Sequence, residues 1–227
     1  KPAGLVCTVS MEQPTLTTAL DDRRAVNKSV QILDAAARVF RAHGYADTTM
    51  DAVARAANVS KATLYAYFSG KRELFAAIVR VEGDRNSQAL LIGEHGREDL
   101  RVRLQRFGRV IVDLLTAPET VASYRMVAAE AQRHPDLARD YYANGAARLL
   151  DRVESVLGVA MAQGSLRVAN PRRAAEQFIG LVRGDLQLRA LLGLDGDLTG
   201  PQKDAVVRAG VDVFCRAYLV NSSDTSP

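Results

Sequence analysis

The chain has 227 residues, 48% hydrophobic and 25% charged, with seven prolines and no tryptophan. That excludes a collagen-like, low-complexity or disulfide-built protein and leaves enough length for a self-sufficient core. The net charge of +4 is uneven: residues 23–80 carry ten basic against four acidic side chains, +6, which leaves −2 for the rest. A basic part joined to a mildly acidic remainder is what a phosphate-binding protein shows, although a solvated basic face gives the same numbers.

Residues 1–28 carry no sustained apolar periodicity and read as a disordered or frayed tail, with Met11 a candidate start. From Val30 a 3.6-residue pattern sets in. Ile32, Leu33, Ala36, Val39 and Phe40 share one face, and Gly44 is placed to end the helix in the left-handed C′ conformation. A short second helix follows, capped by Thr48 or Thr49, with Asp51 in its first turn and Met50, Val53 and Ala57 facing inward. Asn58, a residue at ease with positive φ, breaks it. Ser60 caps a third helix over 61–67, and Ser69-Gly70 precede a fourth that runs to about Asn86.

Longer blocks come next, over 98–116, 119–132, 135–163, 171–192 and 201–220. Pro118, Pro135, Pro171 and Pro201 sit at or near their starts, where a missing N–H costs nothing, and Gly164 and Gly193 sit at ends. No alternating strand pattern competes. The fold class expected is all-α, a helix-turn-helix head of three helices joined to a larger helical bundle, about nine helices in total. The corresponding division is 29–75 for the head, 76–221 for the bundle and 222–227 for a C-terminal tail.

The stretch 48–68 carries the chemistry. Two short helices joined by Ala57-Asn58-Val59 form a unit that sets its second helix into a major groove, with Ala56, Val59 and Leu64 expected to lock the pair. The second helix presents Lys61, Ala62, Thr63, Tyr65 and Tyr67 outward. A plain solvated helix favours Glu, Lys and Gln there. Tyrosine hydroxyls and lysine donate to phosphate, threonine reaches base edges, and Ala62 admits close approach or touches a thymine methyl. Lys71 lies in the first turn of the fourth helix, where backbone N–H groups and the dipole already favour a phosphate. Arg23, Arg24 and Lys28 could track phosphates or stay solvated.

The run Ile32-Leu33-Asp34-Ala35-Ala36, Val39-Phe40, Gly44-Tyr45, Thr48-Thr49-Met50, Val53-Ala54 and Ala57 through Phe68, then Lys71, resembles the DNA-binding domain of tetracycline-repressor-type regulators (the TetR/AcrR family). Asn58 stands where that family more often has glycine, and Ala66 and Tyr67 where it often has a variable residue and histidine. The resemblance implies DNA contacts from Thr49, Ser60, Lys61, Ala62, Thr63, Tyr65, Tyr67 and Lys71, with Leu64 and Phe68 in the core. The remainder is similar, less tightly, to the efflux-regulator-like C-terminal domain of the same family. Ser123 through Val127, Arg133 through Ala138, Tyr141-Tyr142 and Ala174 through Phe178 carry that likeness.

A small-molecule cavity is expected between the helices of the bundle. Candidate lining residues are Phe107, Ile111, Leu114, Tyr124, Met126, Tyr141, Phe178 and Leu181, each of which could equally be core. Arg183 and Asp185 interrupt an apolar stretch and could meet a polar ligand group or pair internally. Leu181, Leu186, Leu188, Leu191, Val206, Val207, Val211, Val213, Phe214 and Leu219 make the last two blocks broadly apolar. The resemblance implies that a homodimer interface covers them.

The function expected is a transcriptional regulator, most simply a repressor that leaves a palindromic operator when a lipophilic effector binds. The alternatives are a helical ligand-binding or adaptor protein without specific DNA binding, or an enzyme. His43, His95 and His134 share no metal-ligand spacing, no glycine-rich phosphate loop follows a strand, and no nucleophile motif stands out. No catalytic residue, metal or cofactor is therefore expected. No stretch approaches the roughly 18 apolar residues of a membrane span, and the N-terminus lacks a secretory pattern. Cys7 and Cys215, far apart, read as thiols in a reducing cytoplasm, with a redox or intersubunit role for Cys215 as the alternative.

Overall fold

The computed structural model describes residues 16–91, 99–194, 196 and 198–220, with the backbone alone for 16–26 and 83–91. The expectations about Met11, Cys7, His95 and the tail 222–227 fall outside the described residues. The helices are α1 (Leu16–Asp47), α2 (Met50–Ala56), α3 (Lys61–Tyr67), α4 (Lys71–Leu91), α5 (Leu100–Leu115), α6 (Pro118–Glu130), α7 (Pro135–Tyr141), α8 (Ala147–Ala162), α9 (Pro171–Arg183), α10 (Leu186–Leu191) and α11 (Gly200–Tyr218), with a π-helical turn, Tyr142–Ala146, joining α7 to α8. Among the described residues there is no strand, only an isolated bridge between Leu166 and Leu219. None of these helices is long and apolar enough to cross a membrane.

Two of the expected long blocks are divided. Gly184, at φ 50° and ψ −133°, separates α9 from α10, and the π-turn interrupts the block from Pro135. At the other end, α1 begins at Leu16, ahead of the start expected near Val30. Apolar periodicity reports a buried face, and a helix already nucleated propagates without one. The glycine at the far end behaves as its sequence position predicts: α1 breaks at Gly44, at φ 75° and ψ 177°. Pro118, Pro135, Pro171 and Pro201 stand in the first turns of α6, α7, α9 and α11.

Two apolar clusters hold the chain. The first joins the buried face of α1 to Val53, Leu64, Phe68, Leu74, Phe75 and Ile78, and it also takes in Val127 of α6 and Leu137 of α7. Phe40, Tyr45 and Phe75 form its aromatic centre, with ring centroids 5.4 to 5.9 Å apart. The second lies among α5, α8, α9 and α11 around Phe178, whose ring is 5.9 Å from that of Phe107 and 5.1 Å from that of Phe214. There α11 crosses α9 so closely that a Cβ on Gly210 would lie 2.4 Å from the Leu181 carbonyl oxygen. Beside the crossing, Arg109 pairs with Asp113 and Asp204, and Lys203 with Asp113.

The terminal helices are thus less open than their composition predicts. Leu186, Val207, Val211 and Phe214 are buried within the one chain, and Leu181, Leu191, Val206 and Leu219 are half-buried. Leu188 and Val213 remain 58% and 51% exposed, and Leu192 and Leu194 are exposed as well.

Candidate nucleic-acid interface and ligand cavity

The head is set by caps and one unusual backbone position. The Thr49 hydroxyl accepts from the Ala52 amide at 3.2 Å, and the Ser60 hydroxyl from the Thr63 amide at 3.0 Å. Each satisfies an N–H that the start of a helix leaves without a partner. Between the two helices Asn58 takes φ 51°, and the Val59 amide reaches back to the Ala54 carbonyl at 3.0 Å. The Gln31 amide nitrogen donates to the Ala57 carbonyl at 2.7 Å, tying the turn to α1.

Leu64 is fully buried and Val59 half-buried between the helices, as expected. Ala56, expected beside them, is exposed, because Val53, Ala54 and Ala57 occupy the inward face of α2. On α3 the open face is Lys61, Ala62, Tyr65 and Ala66, with Tyr65 51% exposed.

The remaining candidate contacts are partly engaged within the chain. Lys61 pairs with Asp51 at 2.6 Å in the open, and the Thr63 and Ser60 hydroxyls lie 2.8 Å apart. Tyr67 is half-buried against the first cluster. Lys71 donates to the carbonyls of Tyr45 and Ala46 at 2.7 and 3.0 Å, with its ammonium 4.5 Å from the centre of the Tyr45 ring. Two of its three ammonium hydrogens are committed, leaving one.

Next to Lys71, Arg72 turns the other way. Its guanidinium holds both carboxylate oxygens of Asp140, at 2.6 and 3.2 Å, and one of Asp136 at 2.9 Å. This fork joins the first turn of α4 to α7, and it keeps the Asp140 carboxyl below its ordinary range. Tyr45 packs edge-on to the His134 ring at 5.5 Å on the same seam. Burial, then the charge of Asp136, raises its phenol. Arg133-His134-Pro135-Asp136 forms the turn into α7, with Asp136 in its first turn. Sequence reasoning missed Arg72, since nothing in the local pattern says that α7 passes beside it.

A cavity of about 600 Å³ lies below this seam, bounded by α4, α5, α6, α7, the π-turn, α8, α9 and α10. Of the eight residues expected to line it, Leu114, Tyr124 and Tyr141 do. The other five are not in its wall. Phe107, Ile111 and Phe178 are consumed by the second cluster, Leu181 packs against that cluster, and Met126 packs against the first. Arg183 lines the cavity; Asp185 stands at the start of α10 instead. Arg125 is turned away, its guanidinium donating to the carbonyls of Leu191 and Ala190 at 2.9 and 2.8 Å.

Leu115, Val127, Leu149 and Ile179 supply much of the apolar wall, and Ser123, Glu82, Arg148 and Glu176 add polar groups that periodicity alone could not place. The Tyr124 and Tyr141 rings meet edge to face at 6.4 Å. Burial, then the charge of Glu82, pushes the Tyr141 phenol up to about 12. That hydroxyl therefore stays protonated and is a donor at neutral pH.

Comparison with known proteins covers both parts. Residues 32–78 match the family model described as bacterial regulatory proteins, tetR family. Residues 102–220 match that of the AefR-like transcriptional repressor, C-terminal domain. A solved tetR-family regulator from Mesorhizobium loti is 25% identical, covering 87% of this chain and 99% of its own at a TM-score of 0.78. The flavonoid-responsive regulator FrrA is 35% identical, covering 86% and 99% at a TM-score of 0.71. The transcriptional activator FasR of Mycolicibacterium smegmatis is 39% identical over 93 residues, 38% of this chain and 39% of FasR. The matched segments span less than half the length of these curated relatives.

Proposed function

The chain belongs to the tetR family of bacterial regulatory proteins and is a DNA-binding transcriptional regulator; from that premise we propose that it is a ligand-released repressor. Two copies place α3 in successive major grooves of a palindromic operator, about one helical turn or ~34 Å apart. Thr49, Ser60, Lys61, Ala62, Thr63, Tyr65, Tyr67 and Lys71 make the contacts. Residues 29–75 serve as the DNA-binding part and 76–221 as the ligand-binding and dimerisation part, working in the cytoplasm where the operator is. The observation that carries the reading is the span of α4. It opens three residues after α3, and Val79 and Glu82 on it line the cavity.

The dimer forms through the exposed surface around Leu188 and Val213, because these side chains have no cover within the chain. The effector is an uncharged, planar aromatic molecule carrying hydroxyl or carbonyl groups. Three tyrosines, an apolar wall and equal numbers of opposite charges favour such a molecule over a long-chain carboxylate. FrrA, described as flavonoid-responsive, is consistent with that class. The volume suits a drug-sized ligand.

The test is selection of genomic fragments by the purified protein, then binding of the selected duplex at two salt concentrations beside Tyr65→Ala. The expected result is a palindrome bound by a dimer with a steep salt slope. Tyr65→Ala should weaken it roughly tenfold or more, as befits a hydrogen bond to a charged phosphate. No enriched sequence, or indifference to the substitution, overturns the assignment of α3. Promoter activity that rises with the protein makes it an activator.

A further inference from the structure

We propose that the π-turn Tyr142–Ala146 and the Arg72 fork on α7 form the relay that converts occupancy of the cavity into movement of the head. This rests on the ligand-released reading above and assigns its working parts. A π-turn widens a helix by one residue, and such turns are frequent at functional sites. This one stands in the cavity wall, where Tyr142, Gly145 and Ala146 face the space an effector would fill. It also lies against α4: a Cβ on Gly145 would be 3.6 Å from Cγ1 of Val79. Its Asn144 side-chain amide donates to the Asp140 carbonyl at 2.8 Å, which fastens it to the last turn of α7.

From there the path is short. Asp140 and Asp136 hold Arg72, the second residue of α4, and Leu137, between them on α7, is buried in the cluster that carries the head. A molecule wedged between the π-turn and α4 moves α7, and α7 pulls Arg72 and displaces Leu137. Both act on the element that directly follows α3. The Arg72 side chain is 54% exposed, and exposed ion pairs add little to folding. The fork is therefore a positioning device whose removal changes coupling more than stability.

Gly145→Val places methyl groups where an effector would press, against Val79, so it stands in for the ligand. The measurement is operator affinity without any added effector, for wild type, Gly145→Val, Arg72→Ala and the double variant, with circular dichroism and thermal melting alongside. Gly145→Val should weaken operator binding roughly tenfold, within the range of allosteric couplings. Adding Arg72→Ala should bring the affinity most of the way back to that of Arg72→Ala alone, because only the Leu137 contact still carries the push.

Effects of the two substitutions that simply multiply, or a Gly145→Val chain that binds like wild type, overturn the relay while leaving the repressor reading intact. If Gly145→Val melts early, deletion of Ala143, which restores an ordinary helical turn, takes its place in the same cycle: affinity restored by Arg72→Ala supports the relay, and effects that multiply overturn it. A wild-type chain that selects no operator overturns both the relay and the repressor.

Discussion

In the head, single residues at helix ends fix the geometry, whereas in the body whole helix faces do. Thr49 caps the start of α2, and Asn58 and Ser60 each set one backbone position between α2 and α3. The crossing of α9, α5 and α11 depends instead on Phe107, Phe178 and Phe214 filling one volume and on Gly210 letting two backbones meet. Caps and one turn position thus set the two short helices of the head, whereas the body encloses a cavity. The two are nonetheless not separate at their seam. Val127 and Leu137 belong to the body by sequence and to the head by packing, so the division near residue 75 does not coincide with a division between cores.

That shared seam gives the largest expected effect. Leu64 and Leu137 are both essentially unexposed in the first cluster, and truncating either to alanine should cost about 2–5 kcal/mol. If the head depends on the body, Leu137→Ala lowers amide protection across α1 to α3 as far as Leu64→Ala does. Hydrogen exchange on the two variants decides this. Full protection of α1 to α3 in Leu137→Ala would make the head an autonomous unit and break the comparison.

A smaller effect tests the claim that the head is governed by single backbone positions. Asn58 is the one non-glycine residue with positive φ among the described residues. Asn58→Ala should cost up to about 1 kcal/mol, because both residues carry a Cβ but only asparagine has the short polar side chain that eases the left-handed region, and it should weaken operator binding through a distorted turn. Asn58→Gly should leave stability close to wild type, since glycine meets no such penalty. Denaturant titration of both variants measures the difference. Equal stabilities would mean that the turn relaxes freely and that the caps alone fix α3.

The same contrast explains what was legible in the sequence. Gly44, Asn58, Ser60 and the helix-opening prolines act through the local backbone, so their roles follow from residue type and neighbours. The choice between core and cavity does not. Phe107, Ile111 and Phe178 are large apolar residues of the kind that suits a pocket, yet they fill the volume between α5, α9 and α11, leaving the cavity wall to Leu114, Tyr124 and Tyr141. Helical periodicity names an inward face without saying whether another side chain meets it. Arg72 was hidden for a related reason, since its partners lie 64 and 68 positions along the chain. Gly184 was in plain view, and its break in the block 171–192 could have been read from the glycine flanked by Arg183 and Asp185.

The smallest expected effect concerns Tyr141, the half-buried phenol in the cavity wall. Burial and the charge of Glu82 set its pKa at about 12, above the roughly 10 of an unfolded tyrosine. The folded form therefore resists ionisation that the unfolded chain accepts. The contribution is complete below pH ~10 and is lost as pH rises from there through 12. Tyr141→Phe should flatten that alkaline fall in stability and remove one late component from the tyrosinate absorbance titration. Tyr45, raised on the head side chiefly by its own burial, should keep its late titration in the variant. Because the Tyr141 hydroxyl borders the cavity, its loss should also weaken binding of a flavonoid probe by about 0.5–1.5 kcal/mol, the worth of one ordinary hydrogen bond, while operator affinity without the probe stays unchanged. Loss of an ordinary component near pH ~10 in place of a late one would put the hydroxyl in solvent. A loss of operator affinity in Tyr141→Phe would mean that the cavity wall helps hold the head even when empty, and the division of labour between the two regions would have to be redrawn at α7.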